Sequence, residues 1–382
     1  MYIGVNDSLV FDGSSGNITV SALYTNIYMN GTGDYQIGPF RGELVNWSGT
    51  NTVASPMISL LGSTYLASLG GKLIISSMIT NTQDLAVYGN GDMELGGPIL
   101  TGLKTLTKYG TGTLTLSGTA MNMYSNTTTV NAGTLLLAKA NGTQPVNAIG
   151  NGVVTINNGA KVQYAASSAN PDMIGTNQIN INATGVLDFN GASDIIGPLN
   201  ISSGGALADT MPVINTAGGG NVTLSNGLFI APAPGYVTRV NSGSGTLTLG
   251  GSNIVFNTSG NGRGRISGNL SLGNTSRYIS INQGLHPEYD LLIDAVISGL
   301  PGAGILKDSI TYSWGVGTGG ILRFEGANTF DGDVTIMDSN KGTLILANNQ
   351  ALGLPSTART VTAGYSGSLA LDGGVSIYDP ND

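Results

Sequence analysis

The chain has 382 residues, of which 60 are glycine, none is cysteine and only 9% are charged, and its net charge is −8. Soluble globular domains carry about 25% charged residues, so this composition argues against an ordinary globular enzyme. An acidic chain with 14 Lys and Arg residues has no electrostatic basis for binding nucleic acid. Without cysteine it can form neither disulfides nor a thiolate metal site. Its 40% hydrophobic content excludes a disordered chain, which would lack the apolar surface that offsets the entropy of ordering.

The N-terminal region differs from the rest in its aromatic content. Residues 1–10 contain no basic segment followed by an apolar one, so we expect no export signal in this chain. A first strand is predicted over residues 9–13. We expect residues 1–98 to form the first coils, or an irregular cap, of a repeat structure, and an aromatic ligand-binding platform, for instance for sugars, is the alternative. The aromatic residues in question are Tyr24, Tyr28, Tyr35, Phe40, Trp47 and Tyr65.

Short bursts of alternating apolar and polar residues follow at regular intervals. Alternation with a period of two predicts half-buried strands of four or five residues. The bursts recur roughly every 19 to 25 residues, a period typical of solenoids, and weaker bursts lie between them. No apolar run approaches the ~18 residues of a membrane-spanning helix, and no helical periodicity persists for three turns. The first apolar residues of successive bursts are Leu114, Leu135, Val154, Ile179, Leu199, Val222, Leu247 and Leu270.

The physics of burial selects how such strands are arranged. A single coil of two or three short strands cannot bury its own apolar residues, whereas stacked coils bury them in a continuous column. Each strand then pairs with the coils above and below it. Glycine suits the corners, because it adopts a positive φ without a steric clash. The sequence therefore predicts an all-β, parallel β-solenoid with short loops.

Two consecutive segments together resemble one copy of a known repeat. Residues 106–118 read LTKYGTGTLTLSG and residues 124–135 read YSNTTTVNAGTL, which closely resembles the passenger-associated β-strand repeat of autotransporters. The resemblance covers residues 99–162, and a second copy covers residues 293–353. A partial third copy lies at residues 243–253.

The resemblance implies a single right-handed parallel β-helix that is secreted or displayed at a cell surface, and it implies a scaffold rather than an active site. Residues 308–320, including Tyr312 and Trp314, interrupt the second copy, so we expect a loop there. We expect no C-terminal translocator barrel of the complete autotransporter type in this chain, because its last residues still resemble the repeat. The predicted sections are residues 1–98, 99–292 with the first copy, and 293–382 with the second.

Few residues suggest catalysis or the binding of a metal or cofactor. The one histidine, His286, follows Leu285 and precedes Pro287, so we expect a loop residue rather than part of a catalytic triad. Asp331 and Asp333 form the best candidate for binding calcium, but the tandem pattern of calcium-binding β-rolls is missing. We predict no catalytic residue, no metal ligand and no cofactor. The carboxylates that acid–base catalysis would need are Asp188 with Asp194, Glu288 with Asp290 and Asp294, and Asp331 with Asp333.

A repeat without a recognisable site favours a structural or adhesive function. We predict a non-catalytic, extracellular or cell-surface stalk whose partners are host-cell, matrix or glycan surfaces. The first alternative is a fibre or sheath subunit that self-associates through its charge-poor flanks or its open ends. The second alternative is a β-helical polysaccharide lyase or hydrolase, or a tailspike-like enzyme. Neither nucleic acid nor direct membrane insertion is expected.

Overall fold

The computed structural model is all-β, and its contacts divide the chain into two compact units. The first unit comprises Met1–Asn177 and Gly185–Asp188, and the second comprises Gln178–Thr184 and Phe189–Asp382. No helix in the described part has the length and apolar character needed to cross a membrane. The structure describes residues 1–21, 26–33, 35–37, 40–81, 83–102, 104–140, 145–166, 172–203, 214–215, 219–251, 253–258, 260–309, 319–337, 342–354, 358–364 and 366–376.

The first unit consists of short strands. They are β1 (Tyr2–Ile3), β2 (Leu9–Asp12), β3 (Thr19–Val20), β4 (Asn26–Met29), β5 (Tyr35–Ile37), β6 (Phe40–Gly42), β7 (Leu44–Ser48), β8 (Thr50–Val53), β9 (Met57–Leu60), β10 (Thr64–Ser68), β11 (Lys72–Ile75), β12 (Met78–Asn81), β13 (Leu85–Tyr88), β14 (Asp92–Leu95), β15 (Leu106–Lys108), β16 (Thr113–Gly118), β17 (Thr128–Val130), β18 (Thr134–Lys139), β19 (Val154–Ile156), β20 (Lys161–Tyr164) and β22 (Val186–Asp188).

The strands of the second unit include two longer ones, β28 and β30. They are β21 (Ile179–Asn182), β23 (Asp194–Ile196), β24 (Leu199–Ser203), β25 (Ile214–Asn215), β26 (Asn221–Leu224), β27 (Leu228–Pro232), β28 (Val237–Leu249), β29 (Ile254–Phe256), β30 (Arg263–Ser271), β31 (Arg277–Ile281), β32 (Leu291–Ile293), β33 (Val296–Ser298), β34 (Ile305–Asp308), β35 (Ile321–Phe324), β36 (Val334–Ile336), β37 (Thr343–Leu346), β38 (Val361–Ala363) and β39 (Ser368–Leu371).

Each unit is a β-solenoid of parallel sheets. In the first unit, sheet 1 has the order β1-β4-β9-β12, sheet 2 has β2-β7-β10-β13-β15-β17-β19, and sheet 3 has β3-β8-β11-β14-β16-β18-β20-β22. In the second unit, sheet 4 runs β21-β24-β27-β29-β31-β34-β36-β38, and sheet 5 runs β23-β26-β28-β30-β32-β35-β37-β39 with β33 also paired to β30. The all-β, parallel solenoid predicted from the repeat is confirmed.

Apolar residues of successive coils lie directly above one another inside each unit. Leu114, Leu135, Val162 and Leu187 are paired in register along sheet 3, and none of the four is exposed. Val222, Leu247, Leu270 and Ile297 form the corresponding column of sheet 5. Burial of such side chains contributes about 1.5–3 kcal/mol each, which explains why an apolar residue returns once per coil.

The series of apolar bursts that gives the period does not stay within one sheet. Val154 follows Leu135 in the predicted series, but it is the partner of Thr128 in sheet 2, whereas Leu135 pairs with Val162 in sheet 3. The series changes sheet again at Val222, which pairs with Asp194 and not with Leu199. Apolar pairs look alike in every strand and the loops vary in length, so the spacing gives the period but not the sheet.

Glycine occupies tight corners, as the repeat predicts. Gly110 and Gly133 have φ values of +75° and +66°. A Cβ on Gly133 would lie 2.5 Å from the Gly110 carbonyl oxygen and 2.6 Å from that of Gly112. The corner therefore requires both the left-handed backbone conformation and the absence of a side chain.

The N-terminal region contains two features that the regular coils lack. Gly13–Ser15 forms a 3-10 turn that is capped by the Asp12 side chain, which accepts a hydrogen bond from Ser14 N. β5 and β6 form an antiparallel pair in which Gln36 is the partner of Arg41. The predicted loop residues Tyr312 and Trp314 lie outside the described residues, and the section boundaries after residues 98 and 292 stay predictions.

Candidate functional site

The carboxylates between residues 288 and 294 are bound by separate partners. Glu288 is exposed and lies 3.8 Å from an Arg263 Nη1 atom. Asp294 accepts hydrogen bonds from Arg265 and from Ser267 Oγ, the latter at 2.6 Å. Burial acts to raise the pKa of Asp294, but these hydrogen bonds outweigh it and hold the pKa below its ordinary value. This carboxylate is therefore held in the ionised form that an ion pair requires.

Asp290 is fully buried, and its carboxylate binds two backbone N–H groups. Its Oδ1 accepts a hydrogen bond from Gly284 N at 2.7 Å, and its Oδ2 accepts one from Ile321 N at 2.8 Å. Burial raises the pKa of this carboxyl, while the two hydrogen bonds and the charge of the buried Lys307 act in the opposite direction. Asp290 therefore connects two segments of the second unit.

Asp188 and Asp194 belong to different units. Asp188 is nearly buried, accepts a hydrogen bond from Gln163 Nε2 at 2.9 Å and lies 3.7 Å from Lys161 Nζ. Asp194 is aligned with Val222 and is 2% exposed, and its Oδ1 accepts a hydrogen bond from Ile195 N.

Asp331 and Asp333, the pair suggested to bind calcium, each accept a hydrogen bond from a backbone N–H group. Asp331 Oδ1 accepts a hydrogen bond from Gly302 N at 2.8 Å, and Asp333 Oδ1 accepts one from Thr360 N at 2.7 Å. Within the described ranges, no three His, Cys, Asp or Glu side chains lie close enough together to hold one metal ion.

His286 Nε2 donates a hydrogen bond to the Asn261 carbonyl oxygen at 2.8 Å, in a loop. The contact ties two loops of neighbouring coils together, in agreement with a loop role for this residue.

The described N-terminal aromatic residues Tyr65 and Trp47 have different surroundings. The rings of Tyr65 and Tyr88 pack edge to face with their centroids 5.2 Å apart, and the rings of Tyr88 and Tyr109 stack with their centroids 4.7 Å apart. Burial raises the pKa of Tyr88. Trp47 is 48% exposed. Tyr24 and the side chains of Tyr35 and Phe40 lie outside the described residues, so the sugar platform stays a prediction.

One asparagine in each repeat copy joins three successive coils. Buried Asn122 accepts a hydrogen bond from Ile99 N at 2.9 Å through Oδ1 and donates one to the Ala148 carbonyl at 2.7 Å through Nδ2. Asn328 does the same with Ile297 N at 2.8 Å and the Ala351 carbonyl at 2.6 Å. Neither residue was predicted from the sequence to have a role, although each precedes a buried aromatic residue by two positions.

A lysine also occupies the same inward position in both copies. Lys108 is in register with Val87 and Val130, and Lys307 with Ile279 and Ile336. Lys108 Nζ donates hydrogen bonds to the carbonyls of Tyr109 at 2.8 Å and Gly110 at 2.7 Å. Burial lowers the pKa of Lys108 to about 8. The lysine thereby satisfies corner carbonyls that face the interior.

The comparisons with known proteins agree with this geometry. Residues 106–137 match the family model of the passenger-associated-transport-repeat, which confirms the resemblance found in the sequence. That family consists of repeats and is not an enzyme family. No curated protein and no solved structure matches the chain. The chain thus contains a segment similar to the passenger-associated-transport-repeat within a parallel β-solenoid, a combination that fits an autotransporter passenger domain.

Proposed function

We propose that this chain is a non-catalytic, extracellular stalk that gives structural or adhesive support to a secreted or surface-displayed protein. One observation carries the proposal: two buried polar residues of the matched repeat, Lys108 and Asn122, are engaged in hydrogen bonds to backbone groups, and both reach a neighbouring coil. Buried polar groups of this kind specify a scaffold rather than a site open to substrate. The carboxylates considered for acid–base catalysis are likewise engaged: Asp294 binds Arg265, Asp290 binds backbone N–H groups, and Asp188 binds Gln163.

Surface labelling tests the location. Antibodies raised against the purified chain are applied to intact and to permeabilised cells of the source organism, with a cytoplasmic protein as the control. We expect equal labelling of both preparations, and labelling that requires permeabilisation would contradict the proposal. Adhesion is tested separately by coating beads with the chain and measuring their retention on cells and matrix, with free chain as competitor.

Catalysis is tested on pectin, alginate and capsular polysaccharides. We expect no release of reducing ends or unsaturated products above that of a heat-denatured sample. Release that survives further purification would instead favour the polysaccharide-degrading alternative.

A further inference from the structure

Three neighbouring strands of sheet 4 present an unusual outer face. Asn180 in β21, Asn200 in β24 and Phe229 in β27 are aligned in register, and Asn182, Ser202 and Ala231 form the next row. The intervening residues, such as Ile181, Ile201 and Ile230, are buried. The two outer rows line an open groove of about 400 Å³, which is within the range of small-ligand sites.

The amide side chains in this groove are fixed by one another. Asn180 Oδ1 accepts hydrogen bonds from Asn200 Nδ2 at 2.9 Å and from Gln178 Nε2 at 3.0 Å. Among the described residues, the Asn180 amide nitrogen and the Asn200 amide oxygen have no hydrogen-bond partner. The groove therefore offers one donor and one acceptor whose positions are set before a ligand binds, which reduces the entropic cost of binding.

Phe229 adds an apolar surface beside these amides. Its side chain points outward and is 40% exposed, although the two residues aligned with it on the preceding coils are asparagines. A ring in this position offers a flat apolar face next to hydrogen-bonding groups. A sugar ring has the matching chemistry, because it combines an apolar face of C–H groups with hydroxyls that both donate and accept hydrogen bonds.

The absence of charged side chains among the lining residues favours a neutral ligand. None of the residues that line it is ionisable. Recognition of a carboxylate or sulfate would call for arginine or lysine at hydrogen-bonding distance. A protein partner would need about 800 Å² of matched surface on each side, which a single small groove does not provide. We propose that the outer face of β21, β24 and β27 binds a neutral glycan, a site that would give the proposed stalk its adhesive contact.

The test is electrophoresis of the purified full chain in native gels that contain soluble polysaccharides. The neutral probes are laminarin, galactomannan and xyloglucan, and the acidic probes are alginate and polygalacturonate. We expect at least one neutral probe, and no acidic one, to slow migration. Asn200→Ala and Phe229→Leu should each raise the Kd at least tenfold, and Phe229→Leu keeps an apolar side chain so that the fold is preserved.

Tyr278→Ala is the matched control, because Tyr278 is an outward aromatic residue of the same sheet and is 39% exposed. It should bind as the wild type does. Absence of retardation by every neutral probe, retardation by acidic probes alone, or full binding by Phe229→Leu would overturn the inference. Since the inference rests on the proposed function, surface labelling separates the two: labelled intact cells with no glycan binding would reject the glycan site and leave the stalk.

Discussion

At the scale of single residues, the interior is organised by a few polar side chains among many apolar ones. Asn122 and Asn328 each satisfy a backbone N–H on one neighbouring coil and a carbonyl on the other. Removing a partner from a buried polar group costs about 1–3 kcal/mol. Such residues therefore have a larger effect on stability than their number suggests.

Asn122→Ala should lower the free energy of unfolding by about 2–4 kcal/mol, because it leaves the Ile99 N–H and the Ala148 carbonyl without their hydrogen bonds. Urea unfolding followed by circular dichroism measures the change. Asn90→Ala is the control, since Asn90 is exposed and, among the described residues, its side chain accepts hydrogen bonds from Thr111 alone. Its effect should stay within about 0.5 kcal/mol, and equal effects of the two substitutions would contradict the proposed role of Asn122.

Glu43 makes stability depend on pH. The side chain is fully buried, and its Oε1 accepts a hydrogen bond from Asn30 N at 2.6 Å. Burial raises the pKa of Glu43 from 4.5 to about 7. The folded chain then binds more protons than the unfolded chain between these two values, so the contribution of Glu43 is greatest below pH 4.5 and is lost as the pH rises to 7.

Glu43→Gln should therefore change the thermal midpoint little at pH 4.5 and raise it relative to the wild type at pH 8. Melting curves of both proteins at pH 4.5, 6 and 8 measure the difference. If the difference in thermal midpoint between the two proteins does not vary with pH, burial does not raise the pKa of Glu43 and the prediction is wrong.

At the scale of elements, the repeat determines the strands more closely than it determines their partners. The alternation around Leu114 and Leu135 predicts the strands β16 and β18, which the structure contains. The pairing of Leu135 with Val162 was not predictable, because Val154 has the same local pattern and its spacing from Leu135 falls within the predicted period, whereas that of Val162 does not. The groove beside Phe229 was also not predictable, because its rows come from three strands whose register the sequence does not give.

Corner glycines are the element-scale feature that is most easily tested. Gly133 and Gly159 have similar φ values of +66° and +72°, but a Cβ on Gly159 would meet no atom within 4 Å. Gly159→Ala should cost about 1–2 kcal/mol from the left-handed conformation alone. Gly133→Ala should cost distinctly more because of the added clash with Gly110 and Gly112, as measured by urea unfolding. Equal costs would mean that stacked corners tolerate a side chain.

At the scale of the whole molecule, charge contributes little to stability. Only 9% of the residues are charged, and several ion pairs, such as Lys72 with Glu94, are partly exposed. Exposed pairs contribute about 0–1 kcal/mol and are screened by salt. Raising NaCl from about 0.05 to 1 M, which shortens the Debye length from above 10 Å to about 3 Å, should therefore shift the thermal midpoint by only a few degrees. A large loss of stability in salt would show that ion pairs, rather than apolar columns, hold the coils.

The asparagines that join successive coils also have a mechanical consequence. A coil that contains Asn122 cannot separate from either neighbour without losing a side-chain hydrogen bond in addition to the backbone ladder. Under a force applied along the direction of stacking, unravelling of the first unit should pause at this coil. A stalk under shear would thus be reinforced at internal positions, and damage at one end would be stopped there before it reached the coils beyond.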